Sequence, residues 1–401
     1  MKRNFMFTSE SVTEGHPDKL CDQISDAFVD HYLKQDSRSR IIAECAVSTS
    51  VLFIAARFAS RNANIDFPSV ARKVIREIGY DTEEFNSQTC SILTSLQEMP
   101  TDGYGDFDEL SLTDKEIEEI PVENQVNVFG YACNQTPVLM PLPIWLANRL
   151  ARQLVAATRG GDIYNLGLDG KTQVGVEFKD RMPHRIHSMT IMAGRKHRGE
   201  NDDEALYKAV RKAVIDKVFD DEPLKPDKDT KIFINPEGPV FLGGPSIHSG
   251  LTGRKNAIDT YGEFSRHSGA ALSGKDPLRI DRVGAYAARY AAKNIVSAGL
   301  AEECELQVTY AIGRSRPVSL MVETFGSGKL PDEEIIGIVD EHFDFRIAGI
   351  IKQFRLRHLP AERKGGFYQR LAAYGHVGRD DLDLPWEKAD MAETLRKHAS
   401  R

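Results

Sequence analysis

Apolar positions along the chain recur with two periods, and the two periods alternate. After a polar N-terminal loop, Leu20, Ile24, Phe28 and Tyr32 fall four residues apart, the stripe of an amphipathic helix. Residues 41–48 (IIAECAVS) and 51–58 (VLFIAARF) are rich in β-branched and aromatic side chains and read as two strands joined by a tight Thr49-Ser50 turn. Residues 68–80 (PSVARKVIREIGY) open on Pro68 and end beside Gly79, which predicts a second helix. The order then returns. A helix over 143–159 precedes strands over 172–178 and 185–194 and a helix over 202–219. A third block places a strand at 231–236, a helix at 284–300, strands at 305–313 and 317–325, and a helix at 332–343. Three blocks of similar length and order predict an α+β chain built from a diverged triplicate. Residues 98–125 break the pattern, with ten acids against one lysine, and are expected to form a mobile acidic cover.

Length and composition narrow the class. A chain of 401 residues exceeds one ordinary core. The blocks suggest an N-terminal domain over 1–100, the acidic loop over 101–125, a central domain over 126–230 and a C-terminal domain over 231–401. A formal charge of −7 argues against bulk nucleic-acid binding, so a basic cluster here serves a small anion. Cys21, Cys45, Cys90, Cys133 and Cys304 are scattered, with no metal or redox spacing, as in a reduced cytoplasmic protein. The opening MKRNFMFTSES turns polar too early for a signal peptide, and no apolar run approaches the ~20 residues of a membrane span.

One region is locally basic. Between His248 and Arg282 lie Arg254, Lys255, Arg266, His267, Lys275 and Arg279, spaced by glycines. GAALSGKD (269–276) begins as a P-loop and then fails, because Asp276 stands where Ser or Thr would hold magnesium. The looser reading survives: glycines let the backbone approach an anion, and Arg254, Lys255, Lys275 and Arg279 neutralise it. Four cations suit a polyphosphate, and Asp281 two residues beyond Arg279 suits Mg²⁺. Near the N-terminus, Glu10, Glu14, His16, Asp18 and Asp22 crowd just before the first helix, where a phosphate or metal can sit.

These stretches together resemble a known family. FTSESVTEGHPDKLCDQISDA, NPEGPVFLGGP, GLTGRK, DTYG, SGKDPLRIDR, AYAARYAAKNIVSAGLA and AAYGHVGR…PWE are similar to the S-adenosylmethionine synthetases (methionine adenosyltransferases), over roughly residues 5–390. The resemblance implies three similar α+β domains with pseudo-threefold symmetry, and a homodimer or homotetramer with active sites between subunits. It implies attack of methionine sulfur on C5′ of ATP, loss of triphosphate, and its hydrolysis to phosphate and pyrophosphate, with two Mg²⁺ and one K⁺. On the matching positions, His16 would stabilise the oxygen leaving C5′. Asp18 and Asp281 would hold Mg²⁺, and Glu44 K⁺. Lys171, Arg254, Lys255, Lys275 and Arg279 would hold the triphosphate, with Asp169 near the nucleoside. Fixed cations lower the barrier to triphosphate departure, and displacement by neutral sulfur needs no general base.

The departures gather around the other substrate. Relatives carry Gly-Ala-Gly-Asp-Gln-Gly before FGYA, where this chain has PVENQVN and the acid is Asn124. A Glu that meets the methionine ammonium is here Arg57, a methionine-contacting Gln aligns with Tyr104, and an acid after GGP is His248. An aromatic partner of adenine is Leu272. Arg57 would repel an ammonium. Beside S-adenosylmethionine synthesis, two other readings therefore stay open: adenosyl or nucleosyl transfer to a different thioether, or triphosphatase activity, and a non-catalytic nucleotide-binding partner subunit.

Overall fold

The computed structural model describes residues 4–195, 203–238 and 243–399. The chain runs β1 (Phe5–Val12), α1 (Pro17–Gln35), β2 (Arg40–Ser48), β3 (Val51–Ala59), α2 (Phe67–Ile78), β4 (Ser91–Glu98) and a short α3 (Asp114–Glu119). It continues with β5 (Val126–Cys133), α4 (Leu142–Arg159), β6 (Leu166–Lys179), β7 (Met182–Arg195), α5 (Asp203–Val210), a π-helical stretch, α6 (Lys217–Phe219) and β8 (Lys231–Ile234). The last part holds β9 (Gly250–Leu251), α7 (Asn256–Asp259), α8 (Ile280–Ser297), β10 (Glu303–Tyr310), β11 (Ser319–Glu323) and α9 (Asp332–His342). Short helices α10 (Ile347–Phe354), α11 (Leu359–Glu362), α12 (Tyr368–Leu371) and α13 (Ala392–His398) follow. No helix among the described residues is long and apolar enough to cross a membrane.

Local chemistry sets the ends of the helices near the site. α1 starts where His16 leaves the extended region and Pro17 supplies a fixed φ in the first turn. In α2, the Asp66 side chain accepts the Ser69 N–H at 3.1 Å, and Gly79 at φ 102° stops the helix. α8 begins at Ile280, four residues before the apolar stripe predicts, so Asp281 and Arg282 stand in its first turn.

Three antiparallel hairpins, β2–β3, β6–β7 and β10–β11, each lie in a separate sheet. The sheet orders are β4-β3-β2-β9, β1-β6-β7-β8 and β11-β10-β5. Each long helix packs on one hairpin: α1 on β2, α4 on β6, α8 on β10. An isolated hairpin is marginal in water, and each gains a strand from another block. β1 precedes α1 but pairs with β6; β5 precedes α4 but pairs with β10; β9 precedes α8 but pairs with β2. The exchange is cyclic, so no block completes its sheet alone.

A buried ion pair joins two of the long helices. Both Arg282 and Asp26 are fully buried, and Arg282 Nη1 and Nη2 reach Asp26 Oδ1 and Oδ2 at 2.7 and 2.8 Å. Nη1 also donates to the Lys275 carbonyl at 2.8 Å, and Nε to the Tyr286 hydroxyl at 2.9 Å. The guanidinium lies 4.2 Å from the Tyr368 ring centroid, and Asp26 Oδ1 accepts the Gly274 N–H at 2.9 Å. Beside it, His376 Nδ1 meets the Tyr286 hydroxyl at 2.8 Å, and Tyr286 stacks on Trp386 at 3.8 Å.

The segment 101–125 is docked on the C-terminal part. Arg357 donates to the carbonyls of Gly105 and Phe107 at 3.0 and 2.9 Å, and Arg346 pairs with Asp114 and Glu118. Lys352 donates to the Leu112 carbonyl at 2.6 Å, and Arg40 donates to Tyr104 at 2.8 Å and to Pro100. Movement of the segment as a cover would have to break these contacts.

Arg282→Met leaves Asp26 buried without its charge partner, which costs about 3–5 kcal/mol. Urea unfolding followed by the fluorescence of Trp386 should show a large loss of stability. A loss below about 1 kcal/mol would remove the pair from its central place. A second prediction concerns His376, whose pKa is held well below the usual imidazole value by burial first and then by Arg282, Lys19 and Arg379, with Asp259 at 3.9 Å. It is neutral when folded and becomes charged in the unfolded chain below about pH 6.5, so stability falls as pH drops through that value. Between pH 7 and pH 5 the wild type should lose about 2 kcal/mol more than His376→Asn. Equal losses in urea titrations at the two pH values would contradict this.

Candidate active site

The N-terminus of α1 carries one cluster of charged and polar groups. Gly15 leads into it, where an added Cβ would lie 2.5 Å from the Leu168 carbonyl oxygen. The buried His16 ring caps the helix, its Nδ1 accepting the Asp18 N–H at 3.2 Å. That tautomer leaves the ring proton on Nε2, a donor for an incoming oxygen. Burial pushes the His16 pKa down to about 4, outweighing the opposite pulls of Asp169 and Asp18. The ring is neutral at pH 7 and lies 4.8 Å from the His248 ring.

Asp169, on β6, closes this side. Burial alone would raise its pKa. Hydrogen bonds from His248 at 2.7 Å and the Gly244 N–H at 2.8 Å, together with nearby His16, hold it below the usual carboxylate range. Its Oδ1 is buried without a hydrogen-bond partner. Buried Asp18 accepts the Leu251 N–H at 3.0 Å, with Arg254 and Lys255 nitrogens 3.8 and 3.7 Å from its oxygens. Lys171 is exposed on β6, opposite Val12 of β1, with no ion pair among the described residues.

The α8 N-terminus carries a second cluster. Lys275 Nζ lies 3.6 Å from Asp281 Oδ2, and Asp281 Oδ1 accepts the Asn124 amide at 2.9 Å. Burial lowers the Lys275 pKa from its ordinary value, against the pull of Asp281. Arg279 Nη1 stands 3.9 Å from Glu123, and its Nε is buried without a partner. Beside them opens a cavity of about 680 Å³ lined by Arg57, Tyr104 and Arg279 among others. Arg57 sits on β3 opposite Ile42, which itself bridges to Lys275. The Tyr104 hydroxyl is buried and unpartnered.

The four cations Arg254, Lys255, Lys275 and Arg279 thus divide two and two between helix N-termini. The residues expected around the acceptor divide three and one: Arg57 and Tyr104 line the cavity and Asn124 is tied to Asp281, whereas His248 belongs with His16 and Asp169. Glu44 is exposed on the open face of β2, without an ion pair among the described residues. Leu272, in the position of the aromatic, is buried. Two other basic groups of the loop are structural: Arg266 is paired with buried Glu305, and Arg282 with Asp26.

Sequence reasoning named Asp22 but passed over the other groups that support the first cluster. Gly253, at φ 75°, donates its N–H to Asp22 Oδ1 at 2.7 Å, which fixes the loop ahead of Arg254 and Lys255. Asp22 is bridged to Asp259 by fully buried Lys19, 3.0 Å from Asp22 and hydrogen-bonded to Asp259. Tyr80 donates to the Gly15 carbonyl. The available signal was the spacing of Lys19 and Asp22, one turn apart on the buried face of a helix.

Carboxylate oxygens next to phosphate-sized cation clusters suit a hard divalent ion, and both Asp18 and Asp281 meet that description. Glycine turns and paired cations suit both clusters to oxyanions, and the neutral imidazole of the first adds a donor for charge that develops on a leaving oxygen.

Residues 4–100 match the S-adenosylmethionine synthetase N-terminal domain, residues 119–240 its central domain, and residues 242–388 its C-terminal domain. An S-adenosylmethionine synthase of Trichormus variabilis is 48% identical, with 99% of this chain and 97% of that protein covered. One from Nostoc punctiforme is 48% identical, covering 100% and 97%. One from Synechococcus elongatus is 47% identical, covering 100% and 99%. On three matched domains and relatives similar along their whole length, the chain belongs to the S-adenosylmethionine synthetase family.

Proposed function

We propose that the chain is a methionine adenosyltransferase. Methionine sulfur donates a lone pair to C5′ of ATP, the C5′–O bond breaks, and the triphosphate leaves with the bonding pair. Water then cleaves the triphosphate to phosphate and pyrophosphate. The observation that carries the reading is the neutral His16 donor set between Asp169 and the Asp18–Arg254–Lys255 group. His16 donates from Nε2 to the oxygen that departs from C5′, and Arg254, Lys255, Lys171, Lys275 and Arg279 hold the phosphates. Asp169 fixes the nucleoside side through His248 and Gly244. Asp18 and Asp281 would hold Mg²⁺ and Glu44 K⁺. Bound Mg²⁺ supplies charge neutralisation for the departing triphosphate. No residue acts as a base toward sulfur, because the nucleophile is neutral.

The two clusters become one site in a homodimer. The β4-β3-β2-β9 sheet has an uncovered face on which Phe53, Leu93 and Leu251 are 42%, 56% and 47% exposed. His16, Asp18 and Arg254 stand beside β9 near the Ala46–Val47 end of β2, whereas Lys275 adjoins Ile42 farther along the same edge of β2, with Arg57 across from Ile42 on β3. Two-fold packing of this face sets one chain's α1 cluster against its partner's α8 cluster. A cytoplasmic location accords with the reduced cysteines.

Two measurements test this. Lys275→Ala removes a cation whose attraction grows as negative charge develops on the departing triphosphate, so kcat/KM should fall by about 100-fold or more. Phosphate release with ATP, Mg²⁺ and methionine, with the sulfonium product followed by mass spectrometry, reads the effect; near-wild-type turnover would refute the assignment. Sedimentation at micromolar concentration should give a species of at least twice the 44.8 kDa chain mass. A monomer alone would remove the shared site.

A further inference from the structure

We infer that the cavity beside Arg57 holds the acceptor by its carboxylate and makes no demand for an ammonium, so that thioether carboxylic acids lacking an α-amino group serve as acceptors alongside methionine. The inference rests on the adenosyl-transfer reading above and names its acceptor class. Three donors on the cavity wall lack partners among the described residues. Arg57 has no ion pair or hydrogen bond. The Tyr104 hydroxyl and the Arg279 Nε are buried with none. The two buried donors stay unsatisfied unless a ligand supplies an acceptor, and exposed Arg57 can exchange its water for a carboxylate.

Two of the three acids on the same wall are already committed. Asp276 is 1% exposed, and its two oxygens accept the N–H groups of Ile41 and Leu278, each at 2.7 Å. Asp102 pairs with Arg61 at 3.1 Å. The third, Glu123, is half-exposed and faces Arg279 at 3.9 Å, beyond hydrogen-bond distance. Next to the cavity, Asn124 spends its amide on Asp281. Arg40 adds positive charge from behind, fixed on the Tyr104 and Pro100 carbonyls. An ammonium placed here would face Arg40, Arg57 and Arg279 with only the loosely held Glu123 to offset them, whereas a carboxylate meets an open guanidinium fork and a phenol. Met99, Leu278 and Ile312 supply an apolar wall for the thioether arm. The carboxylate is therefore the group by which this site selects, and the α-carbon's other substituent is not read.

The test uses the full-length chain with ATP and Mg²⁺ and three thioethers: methionine, its deaminated analogue methylthiobutanoate, and its decarboxylated analogue methylthiopropylamine. Sulfonium products are counted by mass spectrometry. The deaminated acid should show kcat/KM within about tenfold of methionine, and the amine at least about 100-fold less. Arg57→Ala should raise KM for both carboxylates about tenfold or more with little change in kcat, and Arg57→Lys should recover part of it. Arg57 is exposed, so the variants fold, which circular dichroism checks. If methionine is used but the deaminated acid is more than about 100-fold worse, and Glu123→Gln abolishes methionine use, an ammonium site at Glu123 replaces the inference. Unchanged KM in Arg57→Ala also overturns it. No sulfonium with any of the three removes the adenosyl-transfer reading itself, and the inference with it.

Discussion

The buried Asp26–Arg282 pair sets the position of everything chemical in this chain. Asp26 lies in α1, ten residues after His16, and Arg282 lies one residue after Asp281 in α8. Two charges without water are stable only when paired and hydrogen-bonded in full, and this pair satisfies both conditions. Its bidentate geometry ties the middle of α1 to the first turn of α8, so the two helices cannot shift relative to each other at that point. The pair also reaches the loop between the clusters: Asp26 takes the Gly274 N–H and Arg282 the Lys275 carbonyl. Gly274, at φ 77°, lies so close to β2 that a Cβ would stand 2.0 Å from the Ala43 carbonyl oxygen. The position of the Lys275 ammonium therefore follows from a contact that no ligand touches.

Around that pair the strand exchange does for the backbone what the ion pair does for the side chains. Each long helix rests on a hairpin whose outer strand comes from a different block, so the α1 N-terminus is held by β1 from one side and β9 from another. Leu251 of β9 donates its N–H directly to Asp18. Sheet closure and the carboxylate's orientation are thus one event. This is also where local reading of the sequence stops. The hairpins 41–58 and 305–325 and helices such as α2 and α4 are legible, because their apolar periods and their caps are contained within a few residues. β1 was read as a polar loop: its residues FMFTSESV alternate weakly, and its partners, from Lys171 opposite Val12 to Phe178 opposite Phe5, lie far along the chain. β5 and β9 escape for the same reason. β4 escapes because most of its side chains stay exposed, so burial left no mark on its composition.

Residue types in the site were legible, and their grouping was not. The resemblance of GHPDK, GLTGRK and SGKDPLRIDR points to His16, Asp18, Arg254, Lys255, Lys275 and Asp281, but a motif carries no distances. In space the basic loop from 248 to 282 divides. Its first third turns toward α1 and its last third toward α8, while Arg266 and Arg282 leave for Glu305 and Asp26. Charge in a sequence does not say whether its partner is a ligand or another buried side chain. The buried acids decide, and Asp26, Asp22, Asp259 and Asp276 look no different in sequence from the exposed acids of the 101–125 segment.

Burial then separates two jobs that charge alone would confuse. At pH 7 His16 is a neutral donor, since desolvation outweighs both neighbouring carboxylates. An imidazolium in that place would form ion pairs with Asp169 and Asp18 before any substrate arrived, and would gain little when charge develops on a leaving oxygen. A neutral N–H keeps its hydrogen bond for the moment the oxygen becomes a strong acceptor, which is the condition for lowering a barrier instead of only tightening binding. Formal positive charge comes from Arg254 and Lys255, 3.8 and 3.7 Å from Asp18 and so beyond hydrogen-bond contact. At that separation a single carboxylate is shared by two cations, and the surplus remains for phosphate. A chain with a net charge of −7 can therefore present a strongly cationic surface in one place, because the acids that would cancel it are turned inward onto Lys19, Arg282 and backbone amides.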